Sequence, residues 1–153
     1  MRVLIPLAML IVYVAPTVVT AQTAATQEIT PEMARTEKRE IVARNLQLTA
    51  QDARRFWPVY EAYQRQLQRW NARMARLIEE YVHHYDGLSN AQAQRLVEEF
   101  VALNEQRARL QRSYLPKFEK VVPATRVVRY YHIEHKLYAL TQYELATVIP
   151  LMK

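Results

Sequence analysis

The chain has 153 residues, 50% of them hydrophobic, with 21 lysines and arginines against 15 aspartates and glutamates and no cysteine. That composition suits one folded domain rather than a disordered chain. The missing cysteines exclude disulfides, thiol nucleophiles, thiolate metal sites and a lipidated N-terminal cysteine. The single glycine, Gly87, leaves little material for tight β-hairpins or phosphate-cradling loops, so an all-α fold is predicted.

Residues 1–21 read as a secretory signal. Arg2 supplies the positive start, residues 3–14 the apolar run, and Val19-Thr20-Ala21 the small-residue pattern before a cleavage site at Gln22, with Ala24 as second choice. The run is shorter than the roughly 20 residues that span a bilayer, and Pro6 and Pro16 interrupt it, so no membrane span is expected after cleavage. Loss of Arg2 leaves 20 basic against 15 acidic side chains, and the net charge near +5 favours acidic partners or anionic surfaces. Residues 22–29 are polar and lack apolar periodicity, which predicts a flexible leader ahead of a single all-helical domain over 30–153.

Thr30-Pro31 fits an N-cap followed by proline at the first helical position. It opens a first helix to about Leu46, with Met33, Ile41, Val42 and Leu46 available for burial. A second helix over 50–85 carries the strongest periodic signal. Phe56, Tyr60, Tyr63, Leu67, Trp70, Met74, Leu77, Tyr81 and His84 recur at alternating spacings of four and three, a seam facing one partner helix. Such a helix extends about 54 Å, so the molecule is expected to be elongated. Pro58 predicts a kink or restart near Phe56-Trp57. The turn falls at 84–88, with Gly87 placed for a left-handed helix end.

A third helix follows, with Ala93, Leu96, Phe100, Leu103, Leu110 and Tyr114 in a matching seam and Arg107 at an inward position. The two seams are expected to meet antiparallel as a hairpin. Arg107 is read as snorkelling from the seam edge or pairing with a glutamate, with anchoring of a ligand carboxylate as the other role open to it. Pro116 disturbs the end of this helix. Pro123 opens a fourth helix running to Pro150, with Val127, Tyr130, Ile133, Leu137, Leu140 and Val148 as apolar contacts.

Two segments forty positions apart echo each other: Leu48-Thr49-Ala50-Gln51-Asp52 before the second helix and Leu88-Ser89-Asn90-Ala91-Gln92 before the third. Each reads as a capping box, in which Thr49 or Ser89 accepts from the backbone N–H three residues on and Asp52 or Gln92 reaches back. Leu48 and Leu88 are placed to pack on the helix that follows. These segments resemble the periplasmic family named for its Leu-Thr-x-x-Gln motif, which includes the chaperone Spy and the stress-pathway inhibitor CpxP. The second box matches with serine for threonine, and the first departs with Asp52 in the glutamine position. The run 46–60, together with Ile133-Glu134-His135-Lys136-Leu137 and Glu144-Leu145-Ala146, resembles uncharacterised proteobacterial members of the group.

The resemblance implies a periplasmic helical hairpin that forms a homodimeric, curved cradle for unfolded envelope proteins or for a membrane-bound regulator. It implies no cofactor. Residues suited to such contacts are Arg65, Arg69, Arg73 and Arg76, a basic stripe on the second helix beside the aromatic seam. The plainer account makes them a solvated face balanced by Glu61, Glu79 and Glu80. Some relatives are linked to metals, but His83-His84 and the pair His132 and His135 each fall short of three assured ligands, so no metal site is assigned. A Gly-rich phosphate loop, a His-Glu-x-x-His run and a nucleophile elbow are all missing, and no catalytic residue is assigned. The tyrosines sit at seam positions, which argues against nucleic-acid binding despite the basic charge.

Overall fold

The computed structural model describes residues 31–151, which form four helices: α1 Pro31–Leu46, α2 Ala50–His84, α3 Asn90–Glu119 and α4 Ala124–Val148. The expected signal, leader and Thr30 cap, and the Met33 side chain, lie outside what is described. No strand occurs among the described residues, and no helix among them is long and apolar enough to cross a membrane.

The turns explain where the helices stop. Gln47 closes α1 with a φ of 47°, in the left-handed region, and its N–H donates to the Ala43 carbonyl at 3.3 Å. The Arg126 guanidinium, from the first turn of α4, donates to the Leu46 carbonyl and satisfies another orphan acceptor of the α1 end. Thr49 caps α2 by accepting from the Asp52 N–H at 3.1 Å. Asp52 does not reach back: its carboxylate takes a 2.7 Å bond from Arg55, so this cap is one-sided and the expected box is incomplete. The Ser89 box is complete. Gln92 N–H donates to Ser89 Oγ at 3.4 Å and Ser89 N–H to Gln92 Oε1 at 3.0 Å. The extra methylene of glutamine explains the difference between the two boxes.

Gly87 departs from expectation. It has no positive φ; its N–H closes a short turn on the His84 carbonyl at 2.9 Å, a geometry open to any residue. Nor does α2 restart at Pro58, which lies inside an unbroken helix. Proline removes one hydrogen bond there, and burial of Phe56 and Tyr60 on either side holds the helix together. Pro123 stands at the N-cap of α4 rather than in its first turn, and the helix ends at Val148.

Successive helices run antiparallel. Arg39 meets Glu61 across α1 and α2, Trp70 Nε1 donates to the Leu103 carbonyl at 2.6 Å across α2 and α3, and Tyr131 donates to the Gln111 carbonyl at 2.8 Å across α3 and α4. Lys38 and Glu134 close the ring between α1 and α4. The result is an up-down-up-down bundle. Its widest part holds an aromatic core in which Phe118 and Tyr130 lie 4.8 Å apart, Tyr63 and Tyr114 5.2 Å, and Phe56 and Tyr130 5.4 Å. Edge and offset contacts of this kind add about 0.5–1.5 kcal/mol each beyond burial.

The α2 seam therefore faces two helices, α3 and α4, rather than one. Its residues from Phe56 to Leu77 are buried, Tyr81 is half-buried with its hydroxyl on the Pro150 carbonyl at 2.8 Å, and His84 is exposed. Phe100 leaves the α3 seam, 49% exposed, and Leu140 and Val148 on α4 are likewise exposed, because the bundle thins towards that end. Among the described residues α1, with 16 residues, is less than half as long as the 35-residue α2 and lies beside only part of it.

Candidate interaction surfaces

α2 carries different chemistry on its two outer flanks. On its outer face Arg65, Arg69, Arg73 and Arg76 are exposed and make no ion pair among the described residues; Arg65 borders the cleft towards α1, and Arg73 donates to Gln106 on α3 at 2.8 Å. The glutamates expected to balance them are engaged elsewhere or apart. Glu61 pairs with Arg39, Glu80 pairs with Arg95, and Glu79 lines the opposite flank. The aromatic seam beside the stripe is buried, so the surface next to these arginines is polar rather than aromatic.

On the other flank α1, α2 and α4 line an open groove of about 1030 Å³, with Glu37, Lys38 and Ile41 as the α1 side. Its floor is Trp70, Met74, Ile78, Leu137, Tyr138 and Leu145. Arg107, reaching in from α3, is neither snorkelled nor paired with a glutamate. Its guanidinium carbon sits 3.5 Å from the Tyr138 ring centroid and 5.6 Å from that of Trp70, and its buried Nε has no hydrogen-bond partner. A desolvated guanidinium over a ring face is held by the ring quadrupole, which accounts for its place at the inner edge of the groove. A smaller cleft of about 460 Å³ between α1 and α2 is lined by Arg35, Arg39, Arg65 and Gln68.

The two regions meet at a buried polar cluster that the sequence reading missed. Glu134 is 3% exposed. Lys38 Nζ donates to its Oε2 at 2.9 Å, Gln64 Nε2 to its Oε1 at 2.8 Å, and Gln64 also to the Tyr130 hydroxyl at 3.1 Å. A signal existed: Val127, Tyr130, Glu134 and Leu137 follow spacings of three, four and three, so Glu134 stands in phase with the core. Burial, and after it the Glu134 carboxylate, raises the phenols of Tyr60, Tyr63 and Tyr130 well above their ordinary value and pushes Tyr131 up to about 12. They serve as neutral packing groups.

The hydrogen bond from Arg55, and then the one with Thr49, holds Asp52 below its usual range, consistent with a helix-start role. Leu48 and Leu88 are half-buried against the core. His83 and His84 have ring centroids 5.2 Å apart, with His84 Nδ1 2.9 Å from the Glu80 carbonyl; His132 and His135 are exposed. No group of three or more metal-ligating side chains occurs among the described residues. No family model matches this chain, and no curated protein or solved structure matches it either.

Proposed function

We propose that this chain is a non-enzymatic, exported helical protein of the periplasm that holds other polypeptides, acting as a chaperone-like or adaptor protein for envelope proteins. One observation carries the reading: four guanidinium groups along about 16 Å of α2, none with a carboxylate partner among the described residues. Unpaired charge on a rigid helix costs the fold little and speeds the encounter with acidic or partly unfolded chains. The resemblance of the two cap segments to the Spy and CpxP group supports the same reading.

The test is suppression of aggregation of an unfolded envelope protein by the purified mature chain, without ATP and with or without zinc, beside the Arg65/Arg69/Arg73/Arg76→Ala variant. Suppression by the wild type that weakens in the variant, and weakens in the wild type at high salt, is the expected result. Equal suppression by both, or none by either, defeats the proposal. A second reading is a regulatory component of an envelope-stress or metal-response pathway with one membrane-bound partner. The α2–α4 groove favours it, since a bounded trough suits one defined segment better than many.

A further inference from the structure

Among the described residues the bundle has four helices at one end and three at the other. The α2 residues that line the groove run from Leu67 to His83; Arg35 of α1 reaches Gln68, and past about residue 72 no described helix lies against that side of α2 and the facing side of α4, so Met74 and Ile78 line a groove rather than a sealed core among the described residues. The α2 side of the groove extends about 24 Å, and its part past the described start of α1 about 15 Å, roughly three helical turns. Val82, at 41%, and Leu140, at 61%, are exposed apolar residues that extend the floor to its edges.

Charge identifies what fits. The chain as a whole is +6, yet the groove is lined by four carboxylates, Glu37, Glu79, Glu134 and Glu144, against two cations, Lys38 and Arg107, a local net charge of −2. Glu134 has its own counter-ion in Lys38. The Arg107 guanidinium is taken up by two aromatic rings. Glu37, Glu79 and Glu144 make no ion pair among the described residues. An apolar trough with an acidic rim, on a basic protein, is complementary to a helix with one apolar face and lysines or arginines along its borders.

We infer that the groove between α2 and α4 is a docking site for a basic amphipathic helix of a partner protein, which would lie past the described start of α1. The same net charge argues against a second copy, whose basic surface is repelled by this one outside the groove. This inference does not need the arginine face: none of the four stripe arginines lines the groove, so either proposal survives failure of the other.

The probe is a capped 16-residue helical peptide with leucines at i, i+3, i+4 and i+7 and lysines at the borders, compared with the same peptide carrying glutamates. Binding to the mature chain is read by Trp70 fluorescence in a Trp57→Phe background and by titration calorimetry. The lysine peptide should bind about tenfold or more tightly than the glutamate one, as three rim pairs of ordinary strength would give. The Glu37→Lys/Glu79→Lys/Glu144→Lys variant should invert that preference, and Ala75→Trp, a substitution at an exposed groove position, should abolish binding while leaving the helical circular dichroism unchanged.

Equal affinity for both peptides, no binding by either, or binding untouched by Ala75→Trp overturns the inference. So does self-association that Ala75→Trp abolishes, which would assign the groove to a second copy. Binding that appears only when residues 22–30 are replaced by a Gly-Ser repeat would assign the groove to the chain's own leader and overturn the inference as well.

Discussion

Lys38 is the cation that faces buried Glu134, and replacing it with methionine isolates one energetic consequence of the bundle's design. The substitution keeps an unbranched stem of similar length and removes the ammonium that donates to Glu134 at 2.9 Å and to Gln64 at 3.0 Å. What remains is a carboxylate 3% exposed with Gln64 as its remaining donor. Removing one partner of a buried pair costs about 3–5 kcal/mol, and because Lys38 is itself 25% exposed, some water reaches the site and a smaller loss of about 2–3 kcal/mol is expected. With a urea slope of about 1–3 kcal/mol per molar, the midpoint should fall by about 1–2 M when followed by far-ultraviolet circular dichroism. Glu134→Gln in the Lys38→Met background should recover most of that loss, since the neutral amide keeps the shape without an uncompensated charge. A single variant within about 0.5 kcal/mol of wild type, or a double variant whose loss is the sum of the singles, would show that Glu134 does not depend on Lys38.

Gly87→Ala should raise the melting temperature, by the equivalent of about 0.4–1 kcal/mol, because a Cβ there meets nothing within 4 Å and φ is not positive; a fall in melting temperature would refute that backbone. Ser89→Ala should cost about 1 kcal/mol through loss of the complete cap of α3, and an unchanged unfolding midpoint would argue against that boundary. The tyrosine shifts predict alkaline sensitivity. With folded values raised above the ordinary 10, the folded chain keeps protons that the unfolded chain has lost, so stability declines as pH rises from about 10 through 12. An absorbance titration in which all nine tyrosines of residues 31–151 ionise together near pH 10 in the intact fold would contradict it.

The helices were legible because their signals are local. A seam alternating by four and three, proline after a polar residue, and a hydroxyl three positions before an acid or amide each act over one or two turns, and these placed α1, α2 and α3 within a residue or two. What sequence order could not carry was which face of a helix meets which neighbour. Phe100 is in phase with Leu96 and Leu103, yet it is exposed because α2 and α4 together do not cover that angle of α3. Arg107 is also in phase, and its aromatic seat depends on Tyr138, thirty-one residues away in the chain. Gly87 invited a left-handed ending through its freedom alone, while the chain used Gln47 for one instead. The arginine stripe could be read as a stripe but not as unpaired, since the pairing of Glu61 and Glu80 is settled by α1 and α3.

The two proposed surfaces owe their independence to the same helix. The arginines and the groove occupy separate flanks of α2, and a helix with its side chains is about 10–12 Å across. At physiological ionic strength fields decay over about 8 Å, so the two surfaces couple where Arg76 and Glu79 stand one turn apart and feel little of each other elsewhere. A positive outer face and a negative trough can then coexist on a protein of net +6 without cancelling, each selecting a partner of opposite sign. Within residues 31–151 the groove past the start of α1 keeps Met74 and Ile78 along an apolar surface that the proposed partner helix would complete.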